Sequence, residues 1–335
     1  MAILRYFLPI ILVFSLTGCY ENFAPKIDTD PVLCINSLIT AGEPIEVRVS
    51  HTWVYNNEKD SREHTVDDAE VFIYANGELQ PEGYIAQEGD DIRIVAESRK
   101  YGSAEATVTV PKAVPVSSIE FRPQLVSADK EQDVAMNGSL YFNMNVFMRI
   151  VDSNSTDDFF KLDLHTLSPE DERDSEGDYE WSDISHVSFY TGSLEYNAEP
   201  IFKEYIGILE SVMGSDDDYM MVFSDRQFSG KEYTLNLQFS GAGYSVYAPE
   251  YDPALYDCSI VFTLATVSRS YYNWALYVWQ RDSGVIIDLG DVGFAEPMWG
   301  YSNVSTGAGI VAARSLATYT LNLKDFIQQS LMDTE

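Results

Sequence analysis

Ala104-Glu105-Ala106-Thr107-Val108-Thr109-Val110-Pro111 sets apolar residues against polar ones at every second position and stops at a proline. A period of two sends alternate side chains to opposite faces of an extended strand, one toward a core and one toward water. The pattern recurs upstream, where Ile45, Val47 and Val49 alternate with Glu46, Arg48 and Ser50. Residues 70–74 read as another strand with an Asn76-Gly77 turn after it, and Asp90-Asp91 leads into Ile92-Arg93-Ile94-Val95. Short strands separated by turn residues across 32–111 predict an N-terminal β-sandwich of immunoglobulin-like or transthyretin-like kind.

Downstream, a small proline-flanked linker at 112–115 precedes longer apolar runs at 118–121, 140–151, 159–165, 184–190, 220–223, 233–239 and 259–267. Polar loops divide them, so 116–330 reads as a larger β domain, sandwich or barrel. One segment departs from the period of two. Tyr271, Trp274, Ala275 and Val278 stand at i, i+3, i+4 and i+7, with Tyr272, Leu276 and Trp279 on another face. This spacing predicts a helix over 269–281, capped by Ser268 or Ser270 and aromatic on most sides, hence largely buried. Ala317, Tyr319, Leu321 and Leu323 then alternate as a last strand. The fold class expected is therefore all-β in the main, two β domains with one buried aromatic helix.

The N-terminus reads differently. Arg5 precedes an apolar run of about ten residues that ends in Leu16-Thr17-Gly18-Cys19. A bilayer core of ~30 Å needs ~20 apolar residues, so the run is too short to span. It has the form of a secretory signal, 1–18, and its end resembles a bacterial lipobox, in which the cysteine is diacylglycerated and becomes the first mature residue. Cys19 is the expected lipidation site, and 19–31 a polar tether. Tyr20 rather than Asp follows the cysteine, which favours the outer membrane, on its periplasmic or its outer face.

Composition narrows the partners. The chain carries 53 acidic against 21 basic residues, a formal charge of −32. So acidic a surface is repelled by phosphate backbones, which argues against nucleic acid. Cys34 and Cys258 remain as free thiols or an interdomain disulfide. Gly307-Ala308-Gly309-Ile310-Val311-Ala312 matches the spacing of a dinucleotide fingerprint but lacks the strand–helix context, so a tight glycine turn is expected; Gly241-Ala242-Gly243 is read likewise. His51, His64, His165 and His186 show no zinc-ligand spacing. Asp174, Glu176, Asp178 and Glu180 alternate in an acidic loop and are a candidate calcium site beside the simpler reading of a solvated loop. Trp53, Trp181 and Trp299 lie in irregular stretches and are candidate ligand or partner contacts, whereas Trp274 and Trp279 read as core. No catalytic motif stands out, and a glycosidase-like pair among so many acids has no local signature.

Two regions carry a family resemblance. The first comprises Val32-Leu33-Cys34-Ile35-Asn36-Ser37-Leu38-Ile39, Gly42-Glu43-Pro44-Ile45-Glu46-Val47-Arg48-Val49-Ser50, Val66-Asp67-Asp68-Ala69-Glu70-Val71-Phe72-Ile73 and the 104–111 strand. The second comprises Ser270-Tyr271-Tyr272-Asn273-Trp274, Ala295-Glu296-Pro297-Met298-Trp299-Gly300-Tyr301-Ser302-Asn303-Val304 and the 307–310 turn. With the lipobox, these resemble the Bacteroidetes lipoproteins grouped as domain of unknown function 4249. Asn36 or Ser37 replaces the glycine usual there in the first strand, and the spacer before Ala69 is unusually acidic. The resemblance implies an envelope lipoprotein, without an established reaction, that accompanies a TonB-dependent outer-membrane transporter. The expectation is a non-enzymatic binding or accessory component with no cofactor. A structural or adhesive envelope module and a surface carboxylate hydrolase are the alternatives.

Overall fold

Fifteen strands and two helices make up the described part of the chain; the strands expected from alternation have counterparts there, the one expected over 45–50 being confined to Arg48–His51. The computed structural model describes residues 30–53, 64–131, 134–152, 157–169, 185–195, 198–204, 221–282 and 300–332. Val32–Thr52 and Arg62–Glu335 form one compact unit. Met1–Pro31 with Trp53–Ser61 forms a second, of which Asp30, Pro31 and Trp53 are described.

The first strands are β1 (Leu33–Thr40), β2 (Arg48–His51), β3 (Glu70–Ala75), β4 (Glu78–Gln80), β5 (Asp91–Ser98) and β6 (Gly102–Thr109). The long ones follow: β7 (Val116–Lys130), β8 (Met136–Val151), β9 (Phe159–Leu167), β10 (His186–Tyr190), β11 (Ser193–Leu194), β12 (Val222–Ser224), β13 (Glu232–Ala248), β14 (Ser259–Val267) and β15 (Ala308–Asn322). Helix α1 (Arg269–Asp282) lies between β14 and β15, and α2 (Lys324–Met332) follows β15.

Three sheets result. A four-stranded sheet runs β4-β3-β5-β6, a five-stranded one β10-β13-β8-β7 with β11 on β13, and a six-stranded one β12-β9-β14-β15-β1-β2. The six-stranded sheet serves both sandwiches. Its β1 end shares an apolar core with the four-stranded sheet, where Leu33, Ile35 and Ile39 meet Ile92, Ile94, Ala104 and Ala106. Its β9 and β14 strands face the five-stranded sheet, where Phe160, Leu162, Phe262 and Leu264 meet Phe142, Met144, Val146 and Leu237. The stretches 32–111 and 116–330, expected as separate domains, thus share one sheet. The larger half is a sandwich of open sheets rather than a closed barrel.

The join is made by β15. Residues Ala308 to Arg314 pair in parallel with Cys34 to Thr40, and Arg314 to Asn322 pair antiparallel with Val267 to Ser259. Arg314 is the point of exchange, and its Nε donates to Thr40 Oγ1 at 3.1 Å. The 112–115 linker is fixed to the same sheet: Ser315 Oγ donates to the Pro111 carbonyl at 2.6 Å and the Val114 N–H donates to Thr266 Oγ1 at 3.0 Å. Cys34 lies opposite Ala308 and Cys258 opposite Leu323, at the two ends of β15, ~50 Å apart along an extended strand. Both thiols are free, and the topology keeps them from the ~6 Å Cα separation of a disulfide.

Local chemistry explains the turns. Asn76 and Gly77 take φ of 53° and 86°, the left-handed pair of a two-residue hairpin between β3 and β4. Asp90, buried, braces this turn by accepting from Asn76 Nδ2 at 2.8 Å, Tyr84 OH at 2.9 Å and the Gln87 N–H at 2.8 Å. Burial acts to raise its pKa, but those three donors outweigh it and hold it below the ordinary 3.8. Asp90→Ala strands three donors and is expected to destabilise the fold by about 2–3 kcal/mol in denaturant melts. Because the folded pKa is lowered, the wild-type advantage is present above pH 3.8 and fades as pH falls through the folded value.

Both glycine decoys are strand features. Gly241, at φ 72°, sits at the bulge of β13 between Phe239 and Ala242, and the 307–312 stretch opens β15. The C-terminal end corrects one expectation: the chain turns into α2 after Asn322, whose Oδ1 accepts from the Lys324 N–H at 2.9 Å. Ile327 and Leu331, one turn apart, bury this helix against the larger core.

Candidate functional site

Helix α1 starts where β14 stops. Ser268 Oγ accepts from the Tyr271 N–H at 3.3 Å and from the Ala313 N–H at 3.0 Å, so one hydroxyl caps the helix and holds it to β15. Tyr271, Tyr272 and Ala275 pack on Phe159, Val222, Ala265, Val267 and Ala312 of the six-stranded sheet. The rest of the helix is less enclosed than its aromatic content suggests. Trp274, Leu276, Tyr277 and Val278 are half-buried, while Trp279 is buried.

Past Ser268, β15 has no β14 residue beside it. Asn303 takes the place of a neighbouring strand: its Oδ1 accepts from the Val311 N–H at 2.9 Å and its Nδ2 donates to the Val311 carbonyl at 2.8 Å. Asn303→Ala leaves that N–H without its acceptor beneath α1, an expected loss of about 1–3 kcal/mol in a thermal or denaturant melt.

Between α1 and β2, the outer face of β1 and β15 forms the floor of a groove of about 510 Å³. Tyr271 and Trp274, their rings 5.8 Å apart, make one wall. Leu38, Ile310 and Ala312 give an apolar floor, with Leu38 44% exposed. Glu46, Val47 and Arg48 make the other wall, fastened by Ser37 Oγ donating to the Glu46 carbonyl at 2.7 Å. Asn36 Oδ1 accepts from the Ile310 N–H at 3.2 Å. The two positions read as departures from a family glycine thus use their side chains to tie the floor and one wall together. The surface offers a π-face, an amide, a carbonyl and both signs of charge over an apolar bed, which suits a sugar or an extended peptide.

A second cluster has no local sequence signature. Asp152 follows β8, Asp158 precedes β9 and Asp225 follows β12, and ligand oxygens of all three lie within 4.8 Å of one another. Burial, first, and the neighbouring Asp152, Asp225 and Asp157 carboxylates raise Asp158 to about 6. Burial likewise raises Asp225.

Of the residues singled out from sequence, Trp53 is described and is 55% exposed. Cys19, Trp181, Trp299, Asp174, Glu176, Asp178 and Glu180 lie outside the described residues. Trp274, read as core, is half-buried against the cluster of Tyr271, Tyr272 and Ala275 and also walls the groove. Among the histidines, His51 stacks on Tyr101 at 4.7 Å and His186 on Tyr247 at 5.3 Å, both on strand faces.

No curated protein and no solved structure matches the chain. A family model described as a domain of unknown function (DUF4249) matches residues 20–320. That span contains both walls of the groove and the strands beneath it, and the chain belongs to the DUF4249 family.

Proposed function

We propose that this protein is a non-enzymatic binding component, held at the outer membrane by lipid on Cys19, that works beside a TonB-dependent nutrient transporter through the groove between α1 and the six-stranded sheet. The observation that carries the reading is convergence. The stretches at 32–50 and 270–310, far apart in sequence, supply the floor and both walls of one groove. A lipobox-like Leu16-Thr17-Gly18-Cys19 and a strongly acidic body suit an exported protein that relies on lipid to stay at an anionic surface. Among the described lining residues Glu46 is the one carboxylate, short of the pair that glycoside hydrolysis uses, which weighs against the hydrolase reading. None of the helices described is long and apolar enough to cross a membrane.

The test uses the exposed floor residue. A photo-crosslinking amino acid at Leu38, in the full-length protein in its native envelope, is expected to capture a β-barrel transporter on irradiation. Labelling confined to lipid or to no protein at all would refute the groove as the contact surface.

A further inference from the structure

We propose that Asp152, Asp158 and Asp225 form a calcium site that clips together the two facing sheets of the larger sandwich. Asp152 directly follows β8 of the five-stranded sheet, whereas Asp158 directly precedes β9 and Asp225 directly follows β12 of the six-stranded sheet. A single ion touching all three would bridge the layers at one end of the core.

The cluster is more than an accumulation of acids. Asp225 is 1% exposed, and among the described residues neither of its carboxylate oxygens has a hydrogen-bond partner; Asp158 Oδ2 is buried in the same condition. The Ser229 hydroxyl and the Asp158 backbone N–H stand near Asp225 and offset part of the effect of burial without reaching hydrogen-bond geometry. Among the described residues no lysine or arginine pairs with Asp158 or Asp225; Arg269 instead pairs with the exposed Asp157 at 2.9 Å, and Arg226 with Glu204 at 3.8 Å. Asp152 is held in place by the Gly230 N–H, which donates to Oδ2 at 2.7 Å. Buried carboxylates without donors or counter-charge are strongly unfavourable as anions. One oxygen from each of the three carboxylates lies within 4.8 Å of the others, close enough for a single cation to satisfy Asp158 and Asp225 with Asp152 as a further ligand.

The donor set selects the ion. All ligands are carboxylate oxygens, with no histidine or cysteine, which excludes a preference for zinc or copper. A mutual spread within 4.8 Å fits ligands placed at ~2.4 Å around calcium. Magnesium binds at ~2.1 Å and keeps several of its waters, which a buried site resists. Asp174, Glu176, Asp178 and Glu180 take no part in this site.

The full-length protein in detergent, stripped with chelator and dialysed, supplies the test by calorimetric titration with calcium chloride and by thermal melting. One equivalent of calcium is expected to bind, and Tm to rise by roughly 4 °C at calcium ~100-fold above Kd. Asp225→Asn preserves shape but removes a ligand charge. Its metal-free form is expected to melt at or above the metal-free wild type, because repulsion is relieved, and its Tm is expected not to respond to calcium. No binding and no shift in the wild type would overturn the site. So would an undiminished shift in Asp225→Asn, which would place the ion elsewhere, or an equal shift with magnesium, which would remove the calcium assignment.

Discussion

Gly309→Ala is expected to lower the melting temperature by roughly 5–10 °C, corresponding to about 3 kcal/mol or more. Two separate effects add at this position. Gly309 takes φ of 109°, a conformation that side-chain-bearing residues rarely adopt. A Cβ built there also overlaps the Ile35 carbonyl oxygen and comes within 2.9 Å of its carbon and 3.0 Å of its nitrogen. Those atoms belong to β1, the parallel partner of β15, so relief requires the two strands to part. Gly307 is nearly as confined, its Cβ meeting the Leu33 carbonyl at 2.5 Å and Ala104 Cβ at 2.7 Å. The glycines let β15 enter beside β1 under the four-stranded sheet. Gly309→Ala should therefore loosen the smaller sandwich first, seen as faster amide exchange in β1 and β6 than in β8. Gly42→Ala is the control: its φ is 82°, but a Cβ there meets nothing within 4 Å, so backbone strain alone applies.

Cys19→Ser is expected to move the protein from the membrane pellet to the soluble fraction, with no change in its melting curve after detergent extraction. Under the proposed anchoring, attachment rests on acyl chains at ~0.8 kcal/mol per buried CH₂; one chain holds reversibly and two or more hold stably. A serine hydroxyl cannot form the thioether that carries them. Charge gives no second hold, because a body of formal charge −32 is repelled by anionic headgroups. Fractionation followed by immunoblotting reads the result, and persistent sedimentation of Cys19→Ser with membranes would refute lipid on this residue as the anchor.

Alternation located the strands because burial on one face leaves its mark on consecutive residues. β8 shows this over sixteen residues, with every second side chain buried. The α1 helix was equally legible, since its apolar spacing and Ser268 cap are local signals. Pairing is not local. The period of two in β1 says that one face is buried but names no partner, and its partner lies 274 positions away at Ile310. For that reason a sheet shared by both sandwiches looked like two domains with a linker. The α2 helix escaped notice because Ile327 and Leu331 are its only fully buried residues, too few to establish a period. Spacing places Trp274 on the face of Tyr271 and Ala275, and it does pack against that cluster, but it stands at the margin, half-buried, where it also walls the groove. The Asp152, Asp158 and Asp225 cluster draws on three strand ends, and no spacing rule joins residues brought together by a sandwich closing.

Whether the groove holds a transporter decides the proposed role most directly. Tagged full-length protein and its Trp274→Ala variant, each expressed in the native envelope, are to be solubilised in mild detergent, captured, and the co-purifying proteins quantified by mass spectrometry. A β-barrel transporter at near-equal amount with the wild type, and at least tenfold depleted with a Trp274→Ala variant that still melts cooperatively above the working temperature, is the predicted result. A wild-type protein that emerges unaccompanied, or a transporter retained in full by the variant, would contradict it.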